Sequence, residues 1–235
     1  MAVSAVEKVN RINKGALLEA NDLYRFYHVG DEEVRALRGV SLTLESGELT
    51  ALSGRSGSGK STLLTCLAGL DDPDGGQVTL LGHRLSRRPE AERARLRGEY
   101  VGIALQSGNL IGHLSVLDNA LLAGRLRGKP NRARAQELLE AVGLEHRAGA
   151  YPAQLSGGET ARAALVAALT HAPIVLLADE PTAELDPESE GRVLDVIEAF
   201  VRQEGHAALI ATHSPRLAGR ADRTLHLEDG RWQNA

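Results

Sequence analysis

Between Ala20 and Ser53 the chain reads as strands, with apolar and polar residues in alternation. Leu42 and Leu44 interleave with Ser41, Thr43 and Glu45, the period of two that a half-buried strand requires. Ser46-Gly47 marks a turn. Glu48–Ser53 is a short apolar strand that runs into a glycine-rich loop. From about Gly59 to Leu70 the segment STLLTCLAGL predicts a helix, stopped by Asp71-Asp72-Pro73. Gly76 to Leu81 predicts a further strand.

The middle, about Glu90 to Leu169, reads as mostly helical, with a strand-like run at Val101–Leu105. Asn131–Leu144 carries apolar residues at helical spacing behind an asparagine N-cap. Ile174–Ala178 is continuously apolar after Pro173, the pattern of a strand buried on both faces. Pro187–Glu204 predicts a helix with Asp186 as N-cap and Pro187 at its first position. Ala207–Thr212 predicts another buried strand, and Thr224–Trp232 a hairpin turning at Asp229-Gly230. Strands that alternate with helices imply an α/β fold around a parallel sheet covered on both faces. The chain shows no internal repeat and no low-complexity linker.

Composition narrows the function classes. The 235 residues suit one or two domains of ~150 residues. A chain this long buries roughly 70% of the surface its unfolded form exposes, so its core needs no staples. Hydrophobic residues are 43% and charged residues 25%, which argues against disorder. A net charge of −4 and 3% aromatics give no support for a nucleic-acid partner. Cys66 is the only cysteine, which excludes an internal disulfide and a Cys-rich zinc site and fits a reducing compartment. No apolar run approaches the ~18 residues of a membrane span. The N-terminus lacks the apolar block of a secretory signal.

Gly54-Arg55-Ser56-Gly57-Ser58-Gly59-Lys60-Ser61 has the spacing of a phosphate-binding P-loop, and Thr62 follows it. Successive backbone N–H groups must converge on one anion there, which requires angles and close approaches that glycine allows. The following helix offers its positive end to the phosphates. Lys60 is expected to reach the β- and γ-phosphates and Ser61 to ligate Mg2+. Strand and helix flank the motif, as it demands. The apolar run Ile174–Ala178 then delivers Asp179-Glu180 at a strand end, where open α/β sheets bind ligands. Adjacent side chains on an extended backbone point to different sides. Asp179 can therefore serve a metal while Glu180 orients or deprotonates an attacking water.

Leu155-Ser156-Gly157-Gly158-Glu159 closely resembles the LSGGQ signature of ATP-binding-cassette (ABC) ATPases. Locally, Ser156 and Glu159 form a capping box and two glycines bare the backbone, giving a second anion-ready turn. The order of P-loop, this motif and acidic strand end matches the family. Tyr27 resembles the aromatic that stacks on adenine, Gln106 the Q-loop glutamine, Glu184-Leu185-Asp186 the D-loop, and Thr212-His213 the switch histidine. The resemblance runs from about Leu17 to Trp232, after an N-terminal tail of residues 1–18. It is strongest to the subgroup serving lipoprotein release, macrolide or peptide export, and cell division.

The resemblance implies a P-loop NTPase with a RecA-like core, an N-terminal antiparallel β-subdomain and a helical subdomain at about 105–166. It implies ATP and Mg2+, with Ser61, Gln106 and Asp179 around the metal and Glu180, His213 and Lys60 in catalysis. It further implies a second nucleotide-binding subunit, identical or different, whose Ser156 turn closes over ATP held by the first. A separate integral membrane permease and a peripheral place on the cytoplasmic face of the membrane complete the expectation. The alternative is a mechanotransmitter that drives a cell-envelope enzyme without transport. A soluble repair or translation ATPase is disfavoured by a single continuous cassette without heptads. The sequence departs from the family at Thr160, Ala161 and Ala167 around the signature helix. Leu105 and Gly108 replace usual aromatics beside Gln106, and Glu184 stands where Asn is common.

Overall fold

The alternating first third of the chain and the later apolar runs build two different sheets. The computed structural model describes residues 16–30, 32–106 and 109–233. Strands β1 (Ala16–Val29) and β2 (Glu32–Glu45) form a long antiparallel ribbon. Leu18 lies opposite Leu44 and Ala20 opposite Leu42, and all four are buried. Strands β4 (Gly75–Leu80) and β5 (His83–Arg84) extend it in the order β2-β1-β4-β5. Strand β1 starts at Ala16, ahead of the boundary expected at residue 19, because Leu17 and Leu18 belong to the core. The rest of the expected tail, residues 1–15, lies outside the described residues.

The second sheet has the order β10-β9-β3-β8-β7-β6. It joins β3 (Leu49–Ser53), β6 (Val101–Ala104), β7 (Val175–Asp179), β8 (Ala207–Ala211), β9 (Arg223–Glu228) and β10 (Arg231–Trp232). Every pair is parallel except β9 with β10. Strands β7 and β8 are buried along their whole length. Alternate residues serve different cores: Val175 and Leu177 join the cluster under the antiparallel sheet, Leu176 and Ala178 the cluster under the helices. A run apolar on both faces is the signature of that double cover. The hairpin turns at Asp229 and Gly230, both at positive φ (47° and 73°), as the tightest turn requires.

Helix α1 (Lys60–Leu67) follows β3. It ends earlier than the Leu70 expected from sequence because Gly69 takes a left-handed φ of 64°. The amides of Gly69 and Leu70 then close onto the carbonyls of Cys66 and Thr65 at 3.0 and 2.9 Å, a Schellman stop. Helix α2 (Glu90–Tyr100) leads into β6. The helical region holds α3 (Val116–Leu126), α4 (Arg132–Ala141) and α5 (Gly157–Thr170). Ser115, Asn131 and Ser156 cap them, each accepting a first-turn amide. Helix α6 (Pro187–Val201) is capped by Asp186 and stops short of the expected Glu204, and α7 (Pro215–Arg220) follows β8.

Because β3, β7 and β8 run parallel, their carboxyl ends open on one edge. The P-loop, Asp179-Glu180 and Thr212-His213 all leave the sheet there. The chain leaves β3 towards β6 and leaves the adjacent β8 towards β9, in opposite directions, so this edge is a topological switch point, where open α/β sheets hold ligands.

Candidate functional site

A cleft of about 570 Å³ lies at that edge, lined by Tyr27, Ser56, Gly57, Gly59, Lys60, Ser61, Thr62, Gln106, Asp179, Glu180 and His213 among others. The residues expected around one nucleotide therefore meet, although they come from both sheets and the Q-loop. Gly54 and Arg55 lie just behind, in a groove shared with His213, and Ser58 is buried beneath the loop.

The loop keeps its shape through glycine. Gly59 has φ 106°, and a Cβ there would run into the carbonyl oxygen of Ala36 on β2. Gly54, at φ 150°, would strike the carbonyl of Leu227 on β9 in the same way. No side chain caps α1, so its first-turn amides are left for a ligand. Lys60 is 8% exposed. Its Nζ donates to the carbonyls of Gly54 and Arg55 at 2.6 and 3.1 Å. The ammonium is thus held within the loop with backbone oxygens as partners, which an anion can replace without breaking an ion pair.

Next to Lys60, Ser61 donates its hydroxyl to Asp179 Oδ2 at 2.6 Å. Asp179 ends β7 and is 5% exposed. A hydroxyl and a carboxylate in contact are hard oxygen donors, the set that Mg2+ takes alongside phosphate oxygens and water. Gln106 lines the same cleft and offers an amide oxygen. Among the described residues no group of three or more His, Cys, Asp or Glu could form a full protein cage for a metal.

Glu180 leaves the sheet at φ 53°, with its amide on the Ala211 carbonyl at 2.9 Å. This left-handed step turns its side chain towards β8. Its Oε2 accepts from the His213 amide at 3.2 Å, and Oε1 lies 3.6 Å from His213 Nε2. Oε1 is buried and has no hydrogen-bond partner. A carboxylate oxygen without a partner beside an imidazole has the capacity to accept a proton.

Leu155 and Gly157 of the signature line a second cavity of about 400 Å³ between core and helical region, together with Glu184 and with Gln106, Asp179 and Glu180, which line the first cleft as well. Ser156 Oγ accepts the Glu159 amide at 3.2 Å, and Glu159 Oε2 accepts the Ser156 amide at 2.8 Å. Arg147 pairs with Glu159 at 2.9 Å. The Ser156 amide and hydroxyl, with Arg147, hold the Glu159 carboxyl below its usual range. Gly158 approaches Leu185 of the D-loop. None of the five signature residues lines the cleft that holds Lys60. Asp186 does not line it either: its carboxylate accepts the Glu188 and Ser189 amides at 3.0 Å. The Ser189 side chain and amide bring its pKa down to about 2.

Five cleft residues escaped the sequence reading: the charged Arg35, Arg38 and Asp229, and the apolar Val34 and Ala36. So did the hold on Tyr27. Its hydroxyl donates to Asp71 Oδ2 at 3.0 Å, and the Arg25 guanidinium covers one ring face. Burial pushes the phenol pKa up. The only sequence signal for that partner was its place two residues before Tyr27, on the same face of a strand.

The chain is similar to known proteins along most of its length. A family model described as "ABC transporter" matches residues 37–183. The lipoprotein-releasing system ATP-binding protein LolD of Acinetobacter baylyi is 41% identical over 220 residues, covering 92% of this chain and 96% of that protein. The uncharacterized ABC transporter ATP-binding protein YbbA of Escherichia coli K12 is 43% identical, with the same coverage. Among solved structures, the dimeric post-hydrolysis state of the ATP-binding cassette MJ0796, bound to ADP and Pi, superposes with a TM-score of 0.88. It is 31% identical and covers 92% of this chain and 97% of its own.

Proposed function

The chain belongs to the ABC transporter family as an ATP-hydrolysing cassette, and from that premise we propose that two nucleotide-binding subunits sandwich ATP to drive a separate membrane permease. The observation that carries the reading is the partnerless Oε1 of Glu180, buried in the cleft beside His213 and across from Lys60. Lys60 and the uncapped amides of α1 hold the β- and γ-phosphates. Tyr27 stacks on the base, which tolerates any purine because every base offers a π-face. Ser61, Asp179 and Gln106 would hold Mg2+, whose charge would help neutralise the phosphates. Glu180 takes a proton from the attacking water, and His213 steadies the γ-phosphate side of that geometry. Catalysis is then positioning plus charge stabilisation.

The signature turn lies outside the cleft of its own chain, and this supports a site completed by another subunit, of the same or a different chain. The Ser156 turn would offer the amides of Gly157 and Gly158 to the triphosphate held by that subunit's Lys60, since the Ser156 amide is already held by Glu159. Closure makes the site and hydrolysis opens it. Among the described residues no helix is long and apolar enough to cross a membrane. The work is accordingly delivered to a membrane partner, with this subunit peripheral on the cytoplasmic face. The likeness to a lipoprotein-releasing ATP-binding protein favours extrusion of a lipoprotein, peptide or macrolide-type cargo.

Glu180→Gln tests the reading. The variant should bind ATP, form an ATP-dependent dimer and lose turnover by ~10²–10⁴-fold, the worth of a positioned general base. Near-normal turnover would remove Glu180 from its role. A strictly monomeric ATP-loaded Glu180→Gln chain, with no second subunit closing over it, would remove the sandwich. Capture from membranes with the same variant identifies the permease.

A further inference from the structure

The platform for the base is fastened to the helix that holds the phosphates. Arg25 Cζ lies 4.7 Å from the Tyr27 ring centroid. The same guanidinium forks onto Asp71, Nε to Oδ2 at 2.8 Å and Nη2 to Oδ1 at 3.0 Å. Its Nη1 reaches both carboxylate oxygens of Asp74 at 3.2 Å. The Tyr27 hydroxyl donates to the Asp71 oxygen that Arg25 Nε already holds. Asp74 also accepts the Phe26 amide at 2.7 Å. Asp71 stands just past the Gly69 stop of α1, and the first turn of α1 carries Lys60 and Ser61. The chain of contacts from Lys60 through α1 and Asp71 to the Tyr27 ring is therefore continuous.

A tyrosine on a strand edge is free to swing about its side-chain torsions. Here the hydroxyl is tethered and one face is occupied, so the ring offers a single face. A guanidinium does both tasks at once, since its plane stacks on an aromatic while its edge forks onto a carboxylate, which an ammonium cannot do. A ring already held in place loses less entropy when a base stacks on it. We propose that Arg25 is a positioning residue for the nucleotide base: stacked behind Tyr27 and forked onto Asp71, it fixes the stacking face at a set spacing from the Lys60 cradle. The proposal rests on the reading that Tyr27 stacks on the base.

The test compares MgATP with magnesium tripolyphosphate, which has the phosphates without the base. Affinities by calorimetry are taken for the unaltered chain, Tyr27→Ala, Arg25→Gln, Arg25→Lys and the Tyr27→Ala/Arg25→Gln double variant. Tyr27→Ala should weaken ATP by ~5- to 100-fold and leave tripolyphosphate alone. Arg25→Gln should weaken ATP by ~2- to 5-fold, raise KM without lowering kcat, and also spare tripolyphosphate. Arg25→Lys should fall between, and carries the test if the Gln variant fails to fold. In the Tyr27→Ala background Arg25→Gln should cost nothing more. Unchanged ATP affinity in Tyr27→Ala overturns the stacking reading and the proposal with it. If Tyr27→Ala weakens ATP, the proposal alone is overturned by any of three results: Arg25→Gln is silent, it weakens tripolyphosphate equally, or it costs as much with Tyr27 gone.

Discussion

Helix α1 begins at Gly59 with no side-chain cap, whereas α5 begins at Ser156 inside a reciprocal capping box. Both N-termini carry the positive end of a helix and both are rich in glycine. At α1, a bound anion must supply what the chain withholds, and the nearby cation, Lys60, rests on backbone oxygens meanwhile. At α5, Glu159 already satisfies the Ser156 amide, and the Ser156 hydroxyl satisfies that of Glu159. The first turn is built for strong, enclosed binding within one chain. The second is stable by itself and has only the amides of its glycines to lend, which suits the contact with a second subunit proposed above.

Glycine substitutions should separate the two turns most widely. Gly59→Ala forces a Cβ onto the Ala36 backbone at a φ of 106°. Neither β2 nor the loop can yield without losing pairing, so the cost should be at least ~3 kcal/mol from strain plus clash. Gly157→Ala meets only the end of the Glu184 side chain, which can swing aside, and alanine is the better helix former. Its stability should change by less than ~1 kcal/mol, while ATP-dependent closure is lost. Equilibrium denaturation of both variants checks this. Equal destabilisation would erase the distinction between the turns.

Much of this contrast is legible in the amino-acid sequence. The P-loop, the Asp179-Glu180 strand end and the Ser156–Glu159 box are contiguous, and local chemistry dictates each. The run at Ile174–Ala178 announced a strand covered on both faces, and alternate residues do enter two cores. The caps at Asn131, Ser156 and Asp186 form as their residue types suggest. What stayed hidden depends on register or on distant chain. Arg25 meets Asp71 across 46 positions, between a strand and the end of a helix that no short window joins. The early stop of α1 hinges on Gly69, which looked like one more residue of an apolar run.

Acid should act on the α5 side. His171 forms the C-terminal cap of α5. Burial, then the charge of Arg127, pushes its pKa down to about 4. The unfolded imidazole protonates near its ordinary ~6.5. Below that pH the unfolded state binds a proton that the folded state refuses, so stability falls as pH drops from about 6.5 to 4. The loss should be ~2 kcal/mol by linkage, after allowance for partial exposure. Glu159 works in the same direction at lower pH, since its carboxyl is held down in the fold and its contribution fades as it protonates. His171→Gln should flatten the upper part of that slope, as urea titrations at pH 7 and pH 4.5 would report. An unchanged slope would place the acid sensitivity elsewhere.

The smallest expected effect on stability is also the one that best separates a cap from a cradle. Ser156→Ala removes the hydroxyl that accepts the Glu159 amide, costing ~1 kcal/mol of helix stability. Ser156→Asp keeps a side-chain acceptor and suits a helix N-terminus, so thermal stability should hold within ~0.5 kcal/mol. The carboxylate, however, puts a negative charge where the proposed partner brings a triphosphate. Stability and closure should therefore part company. In a Glu180→Gln background Ser156→Asp should melt like its parent yet stay monomeric with ATP, while Lys60 still binds nucleotide in the cleft. If Ser156→Asp dimerised as readily as its parent, the turn would be a helix start and nothing more, and the α1 cradle would be the chain's sole phosphate site.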